Sequence, residues 1–166
     1  MKKALILGFT YLFLMRVLIG CGSASTGKIG STEYNIQEIY KAIEEVNPIN
    51  NPREIDDYTI ETDLGIAKEE MVTEYVGSIS NTMSNSGLIL VMKTVDGKAK
   101  DVETLLKTYQ ENQKSYFSNY PEFGDAMENI SNGNITVKGN YVIMVFANTE
   151  GAHYEDINQV ISDVLK

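Results

Sequence analysis

Leu88-Ile89-Leu90-Val91-Met92-Lys93 and Tyr141-Val142-Ile143-Met144-Val145-Phe146-Ala147 decide the fold. Each runs apolar on successive residues rather than alternate ones. Successive side chains of a strand point to opposite faces, so a strand with one wet face needs a polar residue at every second position. Neither run has that alternation, and both therefore read as strands covered on both faces.

Each run follows a turn and a more polar partner. Met71 to Met83 carries Val72, Tyr75, Val76 and Ile79 among polar residues, and Ser84-Asn85-Ser86-Gly87 turns it into the first apolar run. Ile135 and Val137 alternate with Thr136 and Lys138, and Gly139-Asn140 is a two-residue turn that tolerates positive φ. Two β-hairpins result, with the apolar strands central and the polar strands outer.

Helices surround them. Asn35, with Glu38 three positions on, opens a helix to about Val46 on which Ile36, Ile39, Tyr40 and Ile43 share a face. Asn47 to Pro52 ends it, and a polar stretch follows to about Glu70, with one helical turn near 64–70. Val102, Leu105, Leu106, Tyr109, Gln113, Tyr116 and Phe117 place the longest helix over 98–117. Pro121 starts a short helix bearing Phe123, Ala126, Met127 and Ile130, and Ile157, Val160, Ile161, Val164 and Leu165 define a terminal helix. The order α-β-β-α-α-β-β-α predicts an α+β domain over 32–166, with a four-stranded, mainly antiparallel sheet and packed helices.

The amino terminus has a different character. Met1-Lys2-Lys3 precedes the apolar run Ala4 to Met15, and Leu18-Ile19-Gly20-Cys21 resembles the bacterial lipobox. The resemblance implies a signal peptide over 1–20, diacylglyceryl transfer to Cys21, cleavage before it and further acylation, with palmitate-like chains, of the new terminus. Two acyl chains anchor a protein stably where one is marginal. Residues 21–31, rich in Gly and Ser, read as a flexible tether. An uncleaved membrane helix is the competing reading, but residues 4–20 are short for a span and Arg16 interrupts them.

The formal charge is -9, and loss of Lys2, Lys3 and Arg16 with the leader leaves about -12. Such a chain is repelled by phosphate backbones and anionic headgroups, which excludes nucleic acid as a partner and electrostatic adhesion as an anchor. The expected location is the extracytoplasmic face of the cell membrane. The expected partners are the lipid bilayer, through acylated Cys21, and an envelope protein or polymer.

Gly87 to Lys93, the helix after it, Tyr120-Pro121-Glu122 and Lys138-Gly139-Asn140-Tyr141-Val142 resemble a lipoprotein family of Gram-positive bacteria, the domain-of-unknown-function family numbered 4358. The resemblance covers about residues 75–147. It implies membrane anchoring and this fold, and it supplies no catalytic residue.

The remaining chemistry is sparse. Cys21 is the single cysteine and His153 the single histidine, so thiol catalysis, serine triads and zinc sites lack their side chains or hang on one loop imidazole. Asp56, Asp57, Glu61 and Asp63 match no calcium-loop spacing and read as a solvated acidic loop. No metal, no cofactor and no catalytic set is expected. Tyr109, Tyr116, Phe117, Tyr120 and Phe123, mixed with Gln110, Asn112, Gln113 and Asn119, read mainly as core at helical spacing. Near the helix break, Tyr116, Asn119 and Tyr120 are the candidates for contact with a ligand.

Two functions follow from different classes. The first is a lipid-anchored, non-enzymatic interaction module of the cell envelope; the alternative is a carboxylate-dependent envelope hydrolase. A cleft with two carboxylates, one of raised pKa, favours the hydrolase, and an aromatic surface favours the module. Mass spectrometry of the chain recovered from membranes is expected to find a lipid adduct on the peptide beginning at Cys21, and Cys21→Ala is expected to abolish both adduct and cleavage.

Overall fold

The computed structural model describes residues 33–148 and 153–166. The expected leader over 1–20, the lipobox residues Leu18, Ile19 and Gly20, the lipidation site Cys21 and the tether over 21–31 lie outside them.

The first helix, α1 (Ile36–Val46), starts where expected: the Asn35 side chain accepts hydrogen bonds from the backbone N–H groups of Gln37 at 2.9 Å and Glu38 at 3.4 Å. A three-residue strand β1 (Pro52–Glu54), a π-helical turn (Thr59–Asp63) and a short α2 (Lys68–Met71) follow. The first hairpin is β2 (Val72–Ser80) and β3 (Leu88–Thr94). The long helix α3 (Ala99–Phe117), a 3-10 turn (Pro121–Phe123) and α4 (Gly124–Ser131) lead to the second hairpin, β4 (Asn134–Lys138) and β5 (Tyr141–Phe146), and α5 (Tyr154–Val164) closes the chain. Gly139 takes the positive φ, 58°, that its two-residue turn requires. Among the described residues no helix is long and apolar enough to cross a membrane.

The sheet is antiparallel throughout, in the order β1-β2-β3-β5-β4. Its middle is the pairing of the two apolar runs, from Leu88 opposite Phe146 to Lys93 opposite Tyr141. Alternation then sorts their side chains. Leu88, Leu90, Met92, Val142, Met144 and Phe146 share one core with Val102, Leu106 and Phe117 of α3 and Ala126 and Ile130 of α4. Ile89, Val91, Ile143 and Val145 share the other with Ile36, Ile39 and Ile43 of α1 and Ile157 and Ile161 of α5. Helices on both faces explain why β3 and β5 carry no polar alternation.

The sheet has five strands, not four. Pro52-Arg53-Glu54 lies in the stretch expected to be turn and polar loop, and all three residues are exposed. No apolar pattern marks it, because it pairs by backbone alone: Pro52 opposes Ser80 and Glu54 opposes Ser78, and the Ile55 N–H donates to the Gly77 carbonyl beyond them. As a result β2, expected on the edge, lies one strand inside it.

Ile143 is fully buried between the sheet and α1 and α5. Ile143→Ala is expected to cost about 2–5 kcal/mol in urea denaturation at an unchanged slope, since the cavity cannot collapse between two packed layers.

Candidate functional site

At the end of the sheet where β5 finishes, a cleft of about 340 Å³ opens between the β2–β3 turn and α3. On the α3 side stand Tyr109, Gln113, Tyr116 and Phe117, whose spacing puts them on one helical face. The opposite wall is chain from Ile79 to Ser86, with Met83, 71% exposed, on its rim. Arg53 of β1 closes one end, and Ile130 and Phe146 form the floor.

Buried amides hold the turn in place. The Asn148 N–H donates to Asn47 Oδ1 at 2.9 Å, and Asn148 Nδ2 donates to the Pro48 carbonyl at 2.8 Å. Asn47 Nδ2 donates to the Phe146 carbonyl at 3.2 Å. Asn85 Nδ2 donates to Asn148 Oδ1 at 2.5 Å, while Asn85 Oδ1 accepts from the Gly87 N–H at 2.8 Å. The Ser86 hydroxyl donates to the Ala147 carbonyl at 3.1 Å. These bonds tie the β2–β3 turn to the end of β5 and to the end of α1, so this wall of the cleft is set by satisfied buried polar groups.

The floor is also fixed. Tyr109 stacks on Phe146 with ring centroids 6.4 Å apart and planes 8° apart. A Cβ on Gly133 would overlap the Phe146 ring, so only glycine leaves that ring its place. Gln110, 8% exposed, donates through Nε2 to the carbonyls of Ile130 at 2.7 Å and Gly133 at 3.1 Å, joining α3 to the end of α4.

Arg53 is the one charged residue lining the cleft. Its Nη1 donates to Thr59 Oγ1 at 3.1 Å, and Nη2 lies 4.0 Å from Asp63. Thr59 is held in turn by Asp56, whose carboxylate accepts from the Thr59 N–H at 2.9 Å and from its hydroxyl at 2.8 Å. Those bonds, the backbone one first, hold the Asp56 carboxyl below its ordinary pKa. Burial pushes the Tyr109 phenol up to about 12; the Asp63 charge adds to the shift and Arg53 opposes it. Hydrogen bonding with Tyr120 raises the Tyr116 phenol.

The residues singled out in the sequence divide. Tyr116, 47% exposed, stands in the cleft wall. Tyr120 packs beside it at 5.2 Å and against Phe123 at 5.8 Å, outside the lining. Asn119 turns its amide back to the Ser115 carbonyl at 2.9 Å and serves the end of α3. Phe117 is core, as its spacing predicts. Gln113 is not core but half-buried on the cleft wall, and the buried amide of that helix is Gln110.

The acidic loop is used structurally. Asp57 accepts from the Tyr75 hydroxyl at 2.5 Å and pairs with Lys68 at 3.0 Å. Among the described residues no three His, Cys, Asp or Glu side chains are placed to hold a metal ion. His153 is exposed, directly before α5. Arg53 escaped sequence reading because nothing marks one arginine in a polar stretch. Tyr109 and Gln113 carried a signal, their shared helical face, that reads equally well as core.

A family model described as Domain of unknown function (DUF4358) matches residues 45–147. The chain belongs to the DUF4358 family. No curated protein and no solved structure matches it. The DUF4358 segment runs from the end of α1 to the end of β5 and contains every residue that lines the cleft, from Arg53 to Phe146. Helix α5 and most of α1, which cover the opposite face of the sheet, lie outside it.

The Tyr109 and Tyr75 phenols, both raised from 10.0 to about 12, stay neutral in the folded chain after they would ionise in the unfolded one. Burial disfavours the ionised phenols, so these groups leave stability independent of pH below 10 and lower it as the pH climbs from 10 towards 12, where the folded chain holds protons that the unfolded chain has released. Phenolate absorbance is expected to show a late fraction near pH 12 that shrinks in Tyr109→Phe, with stability falling over the same window.

Proposed function

We propose that this DUF4358 protein is a lipoprotein anchored through Cys21 on the extracytoplasmic face of the cell membrane, whose domain over 32–166 binds a protein or polymer of the envelope in the cleft beside α3. The observation that carries the binding role is the cleft's lining. It joins aromatic and apolar walls to convergent hydrogen-bonding groups, as binding sites do, and includes no carboxylate.

Hydrolysis by paired carboxylates needs two such groups across a cleft, one of them with a raised pKa. Where carboxyl groups of the described residues depart from their ordinary values, at Glu33, Asp56, Asp57, Glu103 and Asp163, they move down. Hydrogen bonds are the leading cause in each case, from Lys93, Thr59, Tyr75, Lys100 and Gln159 respectively. These are groups held ionised, not acids kept protonated. The anchoring rests on the lipobox-like Leu18-Ile19-Gly20-Cys21 and on an acidic charge that gives the chain no electrostatic grip on lipid.

A photo-crosslinking amino acid placed at Tyr116 in the full chain, on intact cells, tests the reading. Adducts with an envelope component are expected from that position and not from Val137, an exposed position on β4 remote from the lining. Absence of adducts, or the same adducts from both positions, contradicts it.

A further inference from the structure

Resting on the reading of the cleft as a ligand site, we infer that it recognises an extended peptide carrying a carboxylate side chain next to an apolar one. The cleft leaves several polar groups unused. The Tyr109 hydroxyl and the Gln113 side-chain amide make no hydrogen bond to any described residue, and no buried side-chain polar atom there lacks a partner. Neither group is wholly shut off from solvent, and both residues line the cleft.

Arg53 is similarly underused. Its guanidinium has five N–H groups in a planar fork, and in the protein it makes one hydrogen bond, to Thr59. Its nearest carboxylate, on Asp63, lies at 4.0 Å, whereas the lysine–carboxylate pairs of the described residues close to 3.5 Å or less. A chain with a formal charge of -9 thus presents an incompletely paired guanidinium in a cleft lined by no acidic residue. The chemistry that complements such a fork is a carboxylate, which accepts two parallel N–H bonds.

The rest of the lining selects the body that carries the carboxylate. Ile79 and Met83 of the wall opposite α3, with Phe117 across from them, offer apolar surface that a neighbouring aliphatic or aromatic side chain would cover. The Gln113 amide has both a donor and an acceptor, the pair that a peptide unit answers. An acidic polysaccharide supplies carboxylates and ring faces but no aliphatic side chain for that surface, so the peptide fits both halves of the cleft.

The test uses the full chain in detergent micelles and fluorescently labelled tetrapeptides in matched pairs, Leu-Asp and Leu-Asn at the centre, read by anisotropy. The acidic member is expected to bind roughly tenfold or more tightly than its amide twin, the margin of a charge-assisted hydrogen bond. Added salt should shrink the preference. Arg53→Gln should remove it, and Arg53→Lys should restore part of it. Tyr109→Phe keeps the ring that packs on Phe146 and should weaken the acidic member with little change in Tm. Equal binding of the twins, a preference that survives Arg53→Gln, binding of neither peptide, or selective binding of a labelled uronic-acid oligomer would each overturn the assignment. Adducts from position 116 on cells, alongside any of those results, would leave the cleft a ligand site for another class of molecule. Absence of adducts would remove the reading beneath.

Discussion

Leu88 to Lys93 and Phe146 to Tyr141 run antiparallel through the middle of the sheet, and both segments are covered on both faces. Burying each large aliphatic side chain contributes about 1.5–3 kcal/mol, and these two strands supply residues to both cores. Their outer partners arrive by local hairpins. The central pair joins segments about fifty residues apart, and closing that loop costs entropy which only the two-sided burial offsets. With β3 and β5 in place, α1 and α5 have an apolar surface on one face and α3 and α4 on the other. Without that pair, neither hairpin has a dry face.

The cleft inherits its geometry from the same pair. Phe146 is the last residue of β5 and sits opposite Leu88, the first of β3, so the sheet ends in a fixed edge. From that edge the Asn47, Asn85 and Asn148 bonds carry the β2–β3 turn, and Tyr109 stacks on Phe146 to bring α3 to the opposite wall. Arg53 joins through β1, the short strand that pairs with β2, and its head group is steadied by Thr59 and Asp56. Strands and helices hold a site more rigidly than loops do, and the one loop wall here, the β2–β3 turn, is tied down by those asparagine bonds.

Much of this was legible in the residues, for physical reasons. Strands buried on both faces announce themselves by unbroken apolar runs, and α1, α3 and α5 by apolar residues at helical spacing, so the α+β class and the antiparallel hairpins could be read directly. Strand β1 could not. Three exposed residues beginning with proline pair through their backbone, which leaves no side-chain pattern. Nor could the asparagine network: Asn47 and Asn85 stand among turn residues, where asparagine ordinarily serves the local backbone. Tyr116, a candidate contact residue on sequence grounds, lies in the cleft wall, while Asn119 is spent on the end of its own helix. Helical spacing identified the face of Tyr109, Gln113 and Tyr116 but not which part of that face is covered, since that depends on where the β2–β3 turn falls.

The DUF4358 segment therefore contains a complete sheet with a cleft at one end, and the account makes that cleft the working surface of the molecule. Hydrogen–deuterium exchange of the full chain, with and without a solubilised envelope fraction, tests this most directly. The account predicts added protection in the β2–β3 turn over 79–86 and in the second half of α3 over 109–117, with β4 and α5 unchanged. Protection confined to α1 and α5, or no added protection at the cleft, would contradict it.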